Sequence, residues 1–329
     1  MAPTTISLES LRIPDDLVRD LRQNIAGRRI RAGFECLEAN QRLCESFDSE
    51  TRNAPEFLGY LAQWVDIGYG DAGLLREMLS RMPPEARRSL TVAGYIHTHM
   101  AEGLVAMADE EQSRAIPHIE TALLLATETG DREIQAIANF WKARCHRKRG
   151  EYDDAFAHTI RARDLALECG FPRMAAVIRV LESWLQFQRG KHKEALATLR
   201  EAETVLSETD DHVSLGNIQS TYGRICRQEG RLDTSVEHFA RAIEEYRKQD
   251  PQHPNGWPVR WPTWRMSSGS WRCSSASGPT PIQPGGGVQP RPRAHPATSL
   301  QLDIGSGFWA CDRRLSSTWK RRRRSTGCT

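Results

Sequence analysis

Apolar residues recur at three- and four-residue intervals through most of the chain between about residues 53 and 255, the spacing that places them on one face of an α-helix. Residues 133–149 and 152–168, for example, each have the pattern of an amphipathic helix, and Gly150 stands between them. Glycine there can adopt the backbone angles that end a helix. The pattern therefore predicts pairs of helices joined by tight turns.

These helix pairs repeat with a period of forty residues. The turn positions are Gly150, Gly190 and Gly230, and Glu110 takes the same position one period earlier. Three further columns hold only small residues: Ala115, Ala155, Ala195 and Ser235; Ala122, Ala162, Ala202 and Ala242; and Gly103, Ala143, Ser183 and Gly223. Small side chains where helices cross let the helix axes approach closely. Because one helix pair cannot bury its own apolar face, we expect the units to stack into a solenoid.

The pattern resembles that of the tetratricopeptide repeat family over about residues 53–255, including a degenerate first unit at 57–83. The matching positions are Tyr152, Ala155 and Ala162 in one unit, and Gly223, Gly230, Leu232, Phe239 and Ala242 in another. The period is longer than the usual thirty-four residues of the family, His192 replaces an apolar residue, and the signature tryptophan is missing from its position. The forty-residue spacing is similar to the longer-helix variants of bacterial regulators.

The sequence thus predicts an all-α fold in three parts. Residues 1–52 form an N-terminal helical cap over the first repeat, since a proline followed by acids at 14–16 suits a helix start. Residues 53–255 form an α-α superhelix of about five helical hairpins. Residues 256–329 form a disordered, low-complexity basic tail with eight Pro, nine Gly and eleven Ser.

The tail also differs from the body in charge. It holds twelve Lys or Arg and two acids, a net +10, so residues 1–255 carry −7 of the whole chain's +3. Four of the nine tryptophans fall within 257–271. One GC-rich nucleotide string can encode residues 257–270 in one frame and an amphipathic helix in the neighbouring frame. We therefore interpret 256–329 as the product of a frameshift near codon 256, which makes nucleic-acid binding by the basic 320–324 run the weakest of the functional hypotheses.

The chemistry-bearing residues favour no enzyme. The catalytic and phosphate-binding motifs GxxxxGK[ST], GxGxxG, HExxH and GxSxG are all missing. Eight cysteines without a CxxC pair are typical of reduced thiols, and no signal peptide or apolar run of membrane-spanning length is seen, which predicts a cytoplasmic location. His97 and His99 would point about 160° apart on a helix, so we expect no shared metal. We expect no cofactor either.

The resemblance to tetratricopeptide arrays, in which the first helices line the concave face, implies a groove instead. Counting back from each turn, the first helices of three units present aromatic and basic residues: Phe140, Arg144, Arg147 and Lys148; Val180, Trp184, Phe187 and Gln188; and Asn217, Ser220, Arg224 and Arg227. Positive charge around an aromatic centre would suit an acidic segment with an apolar anchor. The alternative, which the sequence leaves open, is that Trp184 and Phe187 are core and the arginines a solvated face.

The functional prediction is a non-catalytic scaffold that binds a protein or peptide partner in this groove, with no membrane contact. The alternative is the sensory or regulatory part of a bacterial signalling or transcription-regulating protein whose output domain was lost downstream. We also expect the end of the array at 233–249, with Val236, Phe239, Ile243 and Tyr246 on one stripe, either to fray or to self-associate end to end.

Overall fold

A computed structural model describes residues 13–40, 54–69, 72–82, 87–88 and 90–249, together with the backbone of 263–267 and 270–274. The α-helices within these ranges are α1 (Asp15–Ala26), α2 (Ile30–Ala39), α3 (Ala54–Ile67), α4 (Ala72–Ser80), α5 (Val92–Ala108), α6 (Gln112–Glu128), α7 (Arg132–Arg149), α8 (Tyr152–Glu168), α9 (Pro172–Gln188), α10 (His192–Leu206), α11 (His212–Gln228) and α12 (Leu232–Gln249). Helices α3 to α12 form five successive pairs, and each pair packs on the next. The predicted all-α superhelical fold is confirmed.

Left-handed residues end the first helix of four successive pairs. Gly150, Gly190 and Gly230 have φ angles of +82°, +74° and +79°. At the first of these turns the Gly150 and Glu151 amides donate to the carbonyls of Arg147 and His146, which satisfies two of the free carbonyls at the helix end. Glu110 adopts φ +61° at the equivalent turn, a conformation that costs a side-chain-bearing residue free energy.

The small-residue columns lie where the helices approach most closely. The column beginning at Ala122 is fully buried in all four repeats, and the one beginning at Ala115 is at most 3% exposed. A Cβ atom added to Gly223 would lie 2.9 Å from the Phe239 ring, and one added to Gly103 would lie 2.9 Å from Ile119. The columns are therefore small because a larger residue would push the two helices of one pair apart.

The N-terminal hairpin, which we define as α1 and α2, packs first on α3. A Cβ atom on Gly33 would lie 2.0 Å from the Trp64 ring, and Phe34 meets Trp64 edge-on with ring centroids 5.8 Å apart. The expected helical cap is thus present. It does not stop at the first repeat, however, because its other contacts reach the third, fourth and fifth pairs. The sequence pattern indicated burial of α1 and α2 but carried no signal for those distant partners.

The far end of the array is only partly covered. Phe239 and Tyr246 of α12 pack on Gly223 and Gly216 of α11, whereas Leu232 and Val236 are 62% and 67% exposed.

Beyond α12, β1 (Thr263–Ser267) pairs antiparallel with β2 (Ser270–Ser274). These ten residues form secondary structure where the sequence predicted none, and the remainder of the predicted tail lies outside the described residues. Over the described part of the chain, no helix combines the length and apolar character that a membrane span requires.

Candidate functional site

The first helices of the pairs share one face, which we call the inner face: α3, α5, α7, α9 and α11. The N-terminal hairpin identifies it, because its contacts with α7, α9 and α11 all lie at the first turns of those helices. Arg22 pairs with Glu133 (2.5 Å), the Arg173 guanidinium donates to the Gly27 carbonyl (2.9 Å), and Arg28 pairs with Asp211 (2.5 Å). The starts of α7, α9 and α11 are therefore covered by the N-terminal hairpin.

The Arg28–Asp211 ion pair joins positions 183 residues apart in sequence. The side chains are 7% and 0% exposed, so both charges are out of water. Asp211 also caps α11 by accepting from the Ser214 amide at 3.0 Å, and the neighbouring Asp210 accepts from the amides of Ile30 and Arg31 at 2.7 and 2.8 Å. The first turn of α2 and the start of α11 thus hold each other in place.

A second polar contact ties α1 to α7. Glu133 is buried against Arg22, and burial raises the pKa of its carboxyl group while the hydrogen bond from Arg22 opposes that shift. Tyr60 of α3 lies nearby, and burial raises the pKa of its phenol, with Glu133 adding to the shift. Both groups therefore depend on the hairpin for their electrostatic surroundings.

A pocket of about 550 Å³, including its open mouth, lies between the hairpin and the inner face. Ile25 and Arg28 line it from the hairpin, and Phe140 and Val177 line it from α7 and α9. Asp66 of α3 also lines it, and accepts hydrogen bonds from the Trp141 indole (3.0 Å) and the Arg144 guanidinium (2.6 Å).

Two of the expected groove residues lie beside this pocket in a buried setting. Phe140 and Arg144 are each 8% exposed, and the Arg144 guanidinium lies 5.6 Å from the Phe140 ring centroid. Since Arg144 is paired with Asp66, its charge is already neutralised within the fold. Val180 and Ser220, which the same count placed on this face, are also buried. Asp66 is the partner that sequence reasoning missed, because it is 78 residues from Arg144.

The last turns of α7 and α9 bring together the aromatic centre of the predicted groove. The Arg147 guanidinium lies 4.8 Å from the centroid of the Trp184 ring, and Tyr152 meets Trp184 edge-on with ring centroids 5.7 Å apart. Phe187 stacks on His192 at 5.5 Å. Trp184 and Phe187 are partly exposed, and each also packs on the core. These two side chains therefore contribute to the core and also present surface to solvent.

The remaining expected groove residues differ in exposure. Gln188 and Arg227 are exposed, and Lys148 and Arg224 are partly exposed. Asn217 accepts a hydrogen bond from the Tyr246 hydroxyl at 2.8 Å, so its amide oxygen serves the contact between α11 and α12. Arg147, Trp184, Gln188 and Arg227 lie in the last turns of their helices, at the opposite end from the hairpin contacts.

No protein-family model matches the chain, and no curated protein is similar to it in sequence. Several solved structures are similar in backbone arrangement. The apo form of RapI is 13% identical with a TM-score of 0.44, covering 71% of this chain and 97% of that chain. BtubC from P. vanneervenii is 14% identical with a TM-score of 0.46, covering 77% and 99%. A Rap protein complexed with competence and sporulation factor is 11% identical with a TM-score of 0.48, covering 70% and 74%.

Proposed function

We propose that this chain is a non-catalytic protein-interaction scaffold, and that it binds an extended partner segment across the last turns of α7, α9 and α11. The observation that carries the proposal is Trp184, a large and partly exposed aromatic residue flanked by Arg147 and Tyr152. Large aromatic residues with arginine neighbours are the side chains that most often dominate binding energy at protein interfaces.

The chemistry of this region favours an acidic segment with an apolar anchor. Arg147 and Lys148 on α7 and Arg224 and Arg227 on α11 supply positive charge, while Trp184 and Phe187 on the intervening helix α9 supply apolar surface between them. Charge of one sign around an aromatic centre steers a partner of the opposite sign and fixes its register. Phe140 and Arg144, which the sequence also placed in the groove, are buried and are not part of the proposed contact surface.

The position of the N-terminal hairpin limits where a partner can bind. The hairpin contacts the starts of α7, α9 and α11 at Glu133, Arg173 and Asp211. The proposed surface uses the opposite ends of the same helices. A partner can therefore be bound without displacing α1 and α2.

A random-peptide selection against the full chain tests this proposal. We expect selected peptides to carry acids on both sides of an aromatic or branched aliphatic residue. Arg147→Glu combined with Arg227→Glu should weaken their binding at least about tenfold, equivalent to about 1.4 kcal/mol, and binding should weaken with added salt.

The matched control reverses the same number of charges on the second helices of the pairs, which we call the outer helices. Arg161 of α8 and Arg200 of α10 are exposed, and Arg161→Glu with Arg200→Glu should leave binding unchanged. Far-UV circular dichroism checks that both double variants remain folded. The proposed surface would be refuted if both double variants weakened peptide binding equally, or if Arg147→Glu with Arg227→Glu left peptide binding unchanged.

The alternative function, a regulatory part whose output domain was lost, concerns the chain beyond residue 256. That region lies outside the described residues apart from the backbone of the two short strands. The proposed scaffold function does not depend on it.

A further inference from the structure

Three ligand-type side chains converge between α5 and α6. The Nδ1 atoms of His99 and His118 are 3.0 Å apart, and the Glu102 Oε2 atom lies 3.1 Å from His118 Nδ1 and 3.6 Å from His99 Nδ1. His99 and Glu102 are three residues apart and so lie on the same face of α5. His118 comes from the paired helix, which is why the sequence comparison of His97 with His99 did not find this group.

From this convergence, we propose that His99, Glu102 and His118 bind a divalent transition-metal ion of the zinc type through these three atoms. A point in the plane of the three atoms lies about 1.9 Å from each of them, close to the 2.0–2.2 Å bonds of zinc to imidazole nitrogen and carboxylate oxygen. An ion slightly above that plane has three corners of a tetrahedron filled. The fourth is open to water or to a donor atom from a partner.

The surroundings of the triad suit such a site. Arg87 donates to the other oxygen of Glu102, which leaves Oε2 directed at the two rings, and Tyr95 packs edge-on against the His99 ring at 4.6 Å. Hydrogen bonds to a ligating carboxylate from outside the site orient it and tune the affinity. The ligand side chains are 15–29% exposed, so an ion can reach them from solvent.

The protonation states are compatible with metal binding. Burial lowers the pKa of His99, Glu102 opposes the shift, and His118 and Arg87 add to it. A neutral imidazole is the form that ligates. The ring centroids are 5.2 Å apart and the two Nδ1 atoms are 3.0 Å apart. Each Nδ1 atom therefore points towards the other, as in a hydrogen bond between the two nitrogens. Metal binding replaces that bond: the three atoms are already gathered at ligand distances, and a rotation of the rings about χ2, which is a soft torsion in histidine, directs the Nδ1 lone pairs at the ion.

The repeat supplies an internal comparison. His158 and His238 stand forty and one hundred and twenty residues after His118, and each bonds a polar residue nineteen positions earlier, as His118 does. Those partners are Asn139 and Gln219, and the positions equivalent to Glu102 are Lys142 and Tyr222. The contact between paired helices therefore recurs along the array. In the second pair it is made by two histidines and joined by Glu102, and these three residues form the proposed set of metal ligands.

The test uses the full-length, untagged chain, stripped with a chelator and titrated with Zn²⁺ by calorimetry. We expect one equivalent to bind, binding to be lost in His99→Gln and in His118→Gln, and an approximately tenfold weaker affinity in Arg87→Gln, whose side chain only orients Glu102. The matched control His158→Gln should bind as the unaltered chain does.

Co²⁺ provides a measurement on the unaltered protein that does not depend on any variant folding. A four-coordinate site gives the strong visible absorption of tetrahedral Co²⁺. The proposal is overturned by the lack of stoichiometric Zn²⁺ binding, by the weak spectrum of an octahedral site, or by binding that survives in His99→Gln and His118→Gln. Loss in His158→Gln or in His146→Gln, a residue of a separate histidine–carboxylate cluster with Glu151 and Asp154, would also overturn it.

Discussion

Removing the charge of Arg28 should open the contact between the N-terminal hairpin and the end of the array. In the folded protein its guanidinium donates through Nε (2.8 Å) and Nη2 (2.5 Å) to one oxygen of Asp211. Arg28→Met keeps an unbranched, flexible side chain that is shorter than arginine, and it leaves the Asp211 carboxylate fully buried without its counter-charge. Breaking a buried pair from one side typically costs about 3–5 kcal/mol.

A double-mutant cycle separates the ion pair from the helix cap. Asp211→Asn removes the charge but keeps a side-chain oxygen that can accept from the Ser214 amide, and asparagine is a good N-cap residue. Combining Asp211→Asn with Arg28→Met leaves no unpaired buried charge. The double variant should therefore lose at least about 2 kcal/mol less than the sum of the two single losses.

Urea denaturation followed by circular dichroism gives the free energies of unfolding, and hydrogen exchange of the amides in 15–39 reports the hairpin directly. In Arg28→Met we expect those amides to exchange faster, together with the amides at the start of α11. A loss below about 0.5 kcal/mol, or a double variant whose loss equals the sum, would show that the pair does not hold the two ends together.

Three further outcomes are expected. Glu110→Gly should raise the free energy of unfolding by about 0.5–1 kcal/mol because Glu110 has φ +61°. The control Glu111→Gly, at φ −95°, should not raise it. Urea denaturation measures both, and an unchanged stability of Glu110→Gly would count against backbone strain at Glu110. Burial lowers the pKa of His97 and of His158 to about 4 from the ordinary value of 6.5, so the unfolded chain takes up protons that the folded one does not. The free energy of unfolding should be constant above about pH 6.5 and fall as the pH drops from 6.5 to 4, and it should fall less steeply in His158→Gln. Urea denaturation repeated at several pH values measures this, and a free energy of unfolding that stays constant from pH 6.5 to 4 would contradict it. Val236 is 67% exposed at the end of the array, so we expect concentration-dependent self-association that Val236→Glu abolishes, and light scattering that finds only monomer at every concentration would refute it.

The sequence could predict the contacts that recur with the repeat. Residues of the Ala122 column, the turn at Gly150 and the crossing at Gly223 all follow from a forty-residue period, because a local pattern repeated four times reports one packing geometry. These positions determine how closely the two helices of each pair approach each other.

The contacts that the sequence could not predict join distant parts of the chain once only. Arg28 with Asp211 and Asp66 with Arg144 are each a single pair, without a period to reveal them. For that reason Arg144 was assigned to an open groove although its charge is buried. His118 left a weak signal, since histidine recurs in the same column at His158 and His238.

The frameshift interpretation of 256–329 remains a prediction. Resequencing the gene tests it. We expect an inserted or deleted base near codon 256, and correcting it should open a reading frame that encodes further helical repeats. An open frame that continues without helical repeats would contradict it.

Site-specific photo-crosslinking in the native cells tests the proposed scaffold most directly. A photoreactive residue at Gln188, exposed at the end of α9, should crosslink to a segment of another protein, and the same group at Leu124, 60% exposed on the outer helix α6, should not. We expect mass spectrometry of the Gln188 adduct to find one recurring acidic segment, and we expect Arg147→Glu with Arg227→Glu to abolish the adduct. Equal labelling from Gln188 and Leu124, or an adduct that persists in the double variant, would contradict the claim that this face binds a partner.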